Sequence, residues 1–144
     1  MYSNFMHMNV VKIIGVLAGL MFCGLSGAAQ TVVTPEQLAQ QQLDAYNQRN
    51  IEAFLVPYSD SVEVYTFPHQ LQYKGKATMR QNYAAMFERL PALHCKLLNR
   101  MVMGNTVIDH ELVTFDAAQP QVQAIAIYTI ANGKIQQVHF IRNR

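Results

Sequence analysis

Residues 92–141 read ALHCKLLNRMVMGNTVIDHELVTFDAAQPQVQAIAIYTIANGKIQQVHFI, and this stretch decides the fold. It is rich in Val and Ile and breaks into four runs: 92–103, 106–115, 121–130 and 134–141. Each run has the length and alternation of a strand. Gly104-Asn105 and Asn132-Gly133 separate two pairs of runs, and residues of these types tolerate the positive φ of a two-residue hairpin turn. Residues 116–120 form a longer turn. The stretch therefore predicts an antiparallel meander of four long strands.

Upstream the period changes. Thr34-Pro35-Glu36-Gln37 is a helix start: Thr34 caps, Pro35 suits the first turn, and Gln37 completes a capping box. The helix extends to about Arg49, with Leu38, Ala39, Leu43, Ala45 and Tyr46 inward. Asn50 caps a short second helix through Ile51, Phe54 and Leu55, stopped near Pro57. Residues 61–67 alternate as a strand, and residues 71–74 form a shorter one ended by Gly75. Residues 77–90 return to helical period, with Met79, Tyr83, Met86, Phe87 and Leu90 on one stripe. The fold class is α+β: a curved antiparallel sheet wrapped by three helices.

The first 29 residues read as a secretory signal peptide. Lys12 precedes an apolar run, residues 13–25, and small residues follow at Ser26-Gly27-Ala28-Ala29. Cleavage after Ala28 or Ala29 leaves residues 30–144 as one domain, in the periplasm or secreted. An uncleaved anchor would need roughly 20 apolar residues. Lipidation at Cys23 would place the bulky Phe22 where a small residue is expected. Removal of the leader also removes Cys23, so Cys95 has no partner for an internal disulfide. The formal net charge is +2, and losing Lys12 makes it +1, which provides no field for nucleic acid or an acidic membrane.

At this point the chain resembles the SnoaL-like group of the nuclear transport factor two-like superfamily. The resemblance is carried by Ala45-Tyr46, Asn50-Ile51-Glu52-Ala53-Phe54, residues 58–65 (YSDSVEVY), Gly75-Lys76, residues 104–111 (GNTVIDHE) and Asn132-Gly133-Lys134-Ile135. It implies a cone-shaped α+β barrel around an apolar pocket, often dimeric through the sheet. It implies no single activity, since ketosteroid isomerases, polyketide cyclases, dehydratases and non-catalytic binders share the fold. The isomerases use a strand carboxylate, a tyrosine and a neutral aspartic acid. The resemblance puts Tyr65 at the base position, Ala126 at the aspartic acid and Gln42, or Tyr46, at the tyrosine. That mechanism is therefore not expected here.

The hairpin turns set registers, and registers set faces. The first turn pairs Asn99 with His110 and Arg100 with Asp109; the second pairs Ala126 with His139 and Ile125 with Phe140. With a guessed middle register, His110 faces Ala126, giving an inward row of Asn99, His110, Ala126 and His139. Cys95, Leu97, Met101, Ile108, Leu112 and Tyr128 share that face. Tyr83, Met86 and Phe87 on the third helix complete the expected pocket. Glu63 and Tyr65 join it if their parity points inward, and are lost if Val62 and Val64 do. The other face carries Lys96, Arg100, Asp109 and Glu111 as cross-strand charges. It also carries Ile125, Ile127, Val138 and Phe140, an apolar patch expected to pair two copies.

His110 is the candidate base, with Tyr65 across the cavity, because imidazole titrates near neutrality. The histidines show no metal spacing, and no phosphate loop or nucleophile elbow is present. No cofactor is implied. The sequence thus predicts an exported domain that holds a small apolar or amphipathic molecule. Two alternatives stand beside it: a cofactor-independent isomerase, cyclase or dehydratase, and a structural homodimer.

Overall fold

The computed structural model describes residues 33–142; the expected signal peptide lies outside them. Among these residues three helices, α1 (Pro35–Asn47), α2 (Ile51–Leu55) and α3 (Lys76–Arg89), accompany six strands. These are β1 (Tyr58–Thr66), β2 (Gln70–Lys74), β3 (His94–Met103), β4 (Thr106–Thr114), β5 (Val122–Ala131) and β6 (Lys134–Arg142). The class is the expected α+β.

Local chemistry explains the boundaries. Thr34 Oγ1 accepts from the Gln37 backbone N–H at 3.2 Å, and Gln37 Oε1 accepts from Thr34 N–H at 2.8 Å. Asn50 Oδ1 accepts from Ala53 N–H at 3.1 Å and starts α2. Asn132 and Gly133 take φ of 53° and 67°, and Gly104 takes 55°. Both hairpin turns therefore use the residues that tolerate this region.

The strands form one curved sheet in the order β2-β1-β6-β5-β4-β3. It does not close: β2 and β3 are its two edges. All neighbours run antiparallel except β1 and β6. The helices cover the inner face, α1 against β3 and β4, and α3 against β1 and β2. Phe54, Met79, Val62, Val107, Ile135 and Val138 are fully buried between them. Tyr46, Phe54, Tyr83 and Phe87 make tilted and edge-on contacts at 4.4–6.2 Å.

Registers decide the rest. Asn99 pairs with His110 and Arg100 with Asp109, as the first turn dictates. An irregularity between Leu97 and Asn99 leaves Leu98 as an extra residue, so Cys95 and Leu97 face the helices while Asn99 and Met101 face away. The β4–β5 register differs by one residue from the expectation: Asp109, not His110, lies opposite Ala126. The second hairpin begins as predicted, with Ala131 opposite Lys134 and Ile130 opposite Ile135. Gln136 is then extra, and Ala126 meets Phe140 while Ile127 meets His139. A one-residue shift exchanges faces. Val138 and Phe140 therefore lie inside, and the expected pairing patch keeps only Ile125 and Ile127 on the outer face.

Edge strand β3 is held by a side chain. Asn47, at the end of α1, donates from Nδ2 to the Cys95 carbonyl at 2.9 Å and accepts Cys95 N–H on Oδ1 at 2.7 Å. The amide occupies both backbone groups that a further strand would take. Asn47→Ala leaves them unpaired in a half-buried setting and is expected to cost about 1–3 kcal/mol. Urea unfolding with amide exchange checks this: Cys95 N–H should exchange faster while the β5–β6 amides hold. Uniform loss across the sheet would show that the clamp is not local.

Candidate functional site

Between the inner sheet face and helices α1 and α3 lies a cavity of about 460 Å³. The sheet contributes Val64, Glu111, Val113, Ala124, Tyr128 and Phe140 to its wall. Helix α1 contributes Gln42, Leu43 and Tyr46, and α3 contributes Asn82, Tyr83 and Met86. Thr66, Gln72, Asn82 and Arg142 line it and are exposed, so they mark its rim. The size falls within the range of small-molecule sites.

Glu111 is the acidic side chain on this wall, and it is only 6% exposed. Its neighbours form a directed chain of hydrogen bonds. Tyr58 OH donates to Gln42 Oε1 at 3.2 Å, and Gln42 Nε2 donates to Tyr128 OH at 2.9 Å. Tyr128 OH in turn reaches Glu111 Oε1 at 3.5 Å, a long contact. The Cys95 side chain shares this wall. Burial, and then the nearby Asp109 charge, push the Glu111 carboxyl up to about 7. Burial raises the Cys95 thiol far above neutrality, so it is no thiolate nucleophile.

Beside this group lies a closed ion pair. Asp109 is fully buried, and Arg100 donates to it twice, from Nε at 2.7 Å and from the terminal nitrogen Nη2 at 2.8 Å. Arg100 Nη1 also donates to Gln40 Oε1 at 2.9 Å. The expected partners Arg100 and Asp109 do meet. They meet inside rather than on a solvated face, and Glu111 is inside with them.

Of the predicted pocket residues, Tyr83, Met86 and Tyr128 line the cavity. Phe87 and Ala126 sit in the core instead. Asn99, Met101, His110 and His139 lie on the outer face, because of the extra residues at Leu98 and Gln136 and the one-residue shift of β5. His110 meets Gln123 Oε1 there at 3.1 Å, beside a shallow depression of about 200 Å³. Val62 and Val64 point inward, so Glu63 and Tyr65 are lost from the cavity. Tyr65 OH donates to Glu63 Oε2 at 2.7 Å, and its ring stacks on His139 and His69 at 4.6 and 4.7 Å. Lys74 foremost, then Tyr65 and Gln137, hold the Glu63 carboxyl down at about 2. A carboxylate so stabilised is a poor base. Burial and His69 lower His139 as well.

Sequence reasoning missed Glu111 as a wall residue. The available signal was the forced cross-strand partnership of Arg100 and Asp109, which allows that parity of β4 to be buried. Among the described residues no three His, Cys, Asp or Glu side chains gather to hold a metal.

The model of the SnoaL-like domain matches residues 39–138. The chain belongs to the SnoaL-like domain family. No curated protein matches it. Among solved structures, this SnoaL-like chain is similar to an uncharacterised cystatin-fold protein from Novosphingobium aromaticivorans. The two share 24% identity and a TM-score of 0.68, with 76% of this chain and 98% of that one covered. An NTF2-like protein of unknown function from Cytophaga hutchinsonii shares 16% identity at TM-score 0.67, covering 79% and 94%. A Kribbella flavida protein proposed to be a ketosteroid isomerase shares 15% at 0.64, covering 76% and 78%. At these identities the likeness establishes the NTF2-like fold alone.

The raised Glu111 acid has a consequence for stability. A carboxyl whose folded pKa lies above its unfolded value stabilises the fold fully below about pH 4.5, and that contribution is lost as pH rises through about 7. The shift corresponds to roughly 3 kcal/mol. Glu111→Gln keeps the shape and removes the titration, so the variant should gain up to roughly that amount over wild type between pH 5 and 8. Parallel pH profiles in urea unfolding would show that Glu111 titrates normally.

Proposed function

We propose that the processed chain is an exported binding module for one small, largely apolar molecule held in the cavity between the sheet and helices α1 and α3. The supporting observation is an aromatic-walled space of about 460 Å³ whose inner wall carries, among the described residues, one buried carboxyl, that of Glu111. Polar side chains set among aromatic walls, here Gln42, Asn82 and Glu111, orient a ligand and give the site its specificity. Export rests on the leader of residues 1–29. Pairing of two copies draws on the outer aliphatic residues Ile108, Leu112, Ile125 and Ile127, which remain only half-buried in one copy.

Native mass spectrometry of the chain purified from its own compartment tests all three parts. The expected particle is a dimer of the processed chain carrying a reproducible added mass. Ala124→Phe fills the cavity from β5 and should abolish the added mass while the dimer persists. Retention of the mass would place the ligand elsewhere, an unprocessed chain would end the export reading, and a monomer would end the pairing. Re-adding the released compound at a hundredfold Kd should stabilise the wild type by about 2.7 kcal/mol.

A second reading, favoured by the Glu111 acid near pH 7, is cofactor-independent proton transfer on the bound molecule. Glu111 then replaces His110 as the proton carrier. On any compound the chain turns over, Glu111→Gln should lower kcat by about 10²–10⁴-fold, and His110→Ala should leave it unchanged. The reverse pattern would move the chemistry to the outer face.

A further inference from the structure

The cavity carries a buried acid without a cation of its own, and this deepens the binding reading on which it rests. Glu111 projects from β4 into the space, with Asp109 two residues away on the same face. The nearby guanidinium, Arg100 on β3, is already engaged by two hydrogen bonds to Asp109 and one to Gln40 of α1. What reaches Glu111 directly is neutral: Tyr128 OH from β5. Asp109 takes the Arg100 fork, so Glu111, when ionised, is a carboxylate with no ion pair of its own at the inner wall among the described residues.

The remaining walls suit a positive charge. Tyr46 of α1, Tyr83 of α3, Tyr58 of β1 and Phe140 of β6 surround the space with rings, whose faces attract cations. The tyrosines stay neutral at physiological pH, since burial raises all of them. Among the described residues Arg142 of β6 is the one cation lining the space. It is exposed at the rim and lies over the Phe140 ring at 5.1 Å. Its charge reaches Tyr46, Tyr73 and Tyr83, where it opposes their rise, so it disfavours an ammonium group at the rim end of the space. Among the described residues it makes no ion pair with Glu111, whose opposing positive charge is that of Arg100.

We infer that the cavity's ligand is a small monocationic amine with an apolar body, its ammonium group paired with the Glu111 carboxylate and its body held among the tyrosine rings. No covalent step is involved. The amine enters as its ammonium ion, and a protonated Glu111 releases its proton to solvent. Affinity therefore rises with pH as Glu111 ionises, and falls as the solution is made acid.

Three naphthalene probes of nearly equal size test this on the processed wild-type chain by fluorescence titration: 1-naphthylmethylamine, 1-naphthylmethanol and 1-naphthoate. The amine should bind at least about tenfold tighter than the alcohol at pH 8, an advantage shrinking to about threefold or less at pH 5.5. Glu111→Gln should erase the amine's advantage and leave alcohol binding within about threefold, which also shows that the variant is folded. Equal binding of amine and alcohol at both pH values would overturn the amine while leaving the cavity a binding site. Tightest binding of the naphthoate would overturn it in favour of recognition by Arg142. If none of the three binds, the binding reading itself fails, and the amine with it.

Discussion

Asp109 is fully buried, and it can be so only because Arg100, directly across the β3–β4 ladder, wraps it with two hydrogen bonds. A buried carboxylate left alone costs several kcal/mol, so the pair commits this parity of β4 to the interior. Strand geometry then carries Glu111 inward as well, because residues two apart share a face. The fork of Arg100 fits one carboxylate, not two. Glu111 is left among neutral donors, its acid rises, and the cavity acquires its chemical character. The Asp109 side of the strand is structural, and the Glu111 side is available.

Much of the fold was legible because its signals are local. The capping box at Thr34, the cap at Asn50 and the positive-φ turns at Gly104 and Asn132-Gly133 each depend on a few adjacent residues. The pairing of Arg100 with Asp109 was also legible, since it lies within a short count of a defined turn. Face assignment was not. The extra residues in β3 and β6 are Leu98 and Gln136, ordinary strand residues with no glycine to mark them. Hydropathy misled in the same direction: Ile108 and Leu112 look more like a core face than Asp109 and Glu111 do. Only the ion pair, which lets an acid be buried, outweighs that impression.

The outer face shows how the displaced candidates are satisfied. His139 and His69 pack against the Tyr65 ring, and Tyr65 donates its hydroxyl to Glu63. Lys74 and Gln137 complete the Glu63 shell at 2.8 and 3.1 Å. A group with this many partners has little capacity left for a substrate. Glu63 and Glu111 thus make a natural contrast: same side chain, opposite parity, pKa displaced in opposite directions. One is held ionised by a lysine and polar donors; the other is pushed towards neutrality by burial beside a second acid.

This contrast also explains why likeness of fold carries so little about activity. The sheet and helices that enclose the cavity are fixed by apolar packing, and many sequences satisfy it. What distinguishes one cavity from another is which few polar side chains the bulges turn inward. Here two extra residues remove Asn99 and His139 from the inner face, and the β4–β5 register does the same for His110. Glu111 and Tyr128 stand on that face, steadied by Gln42 and Tyr58 behind them. A relative with the same helices and strands, but without the residue at Leu98 or at Gln136, would present a different wall to its ligand. Register, more than fold, is therefore the level at which the chemistry of this cavity is written.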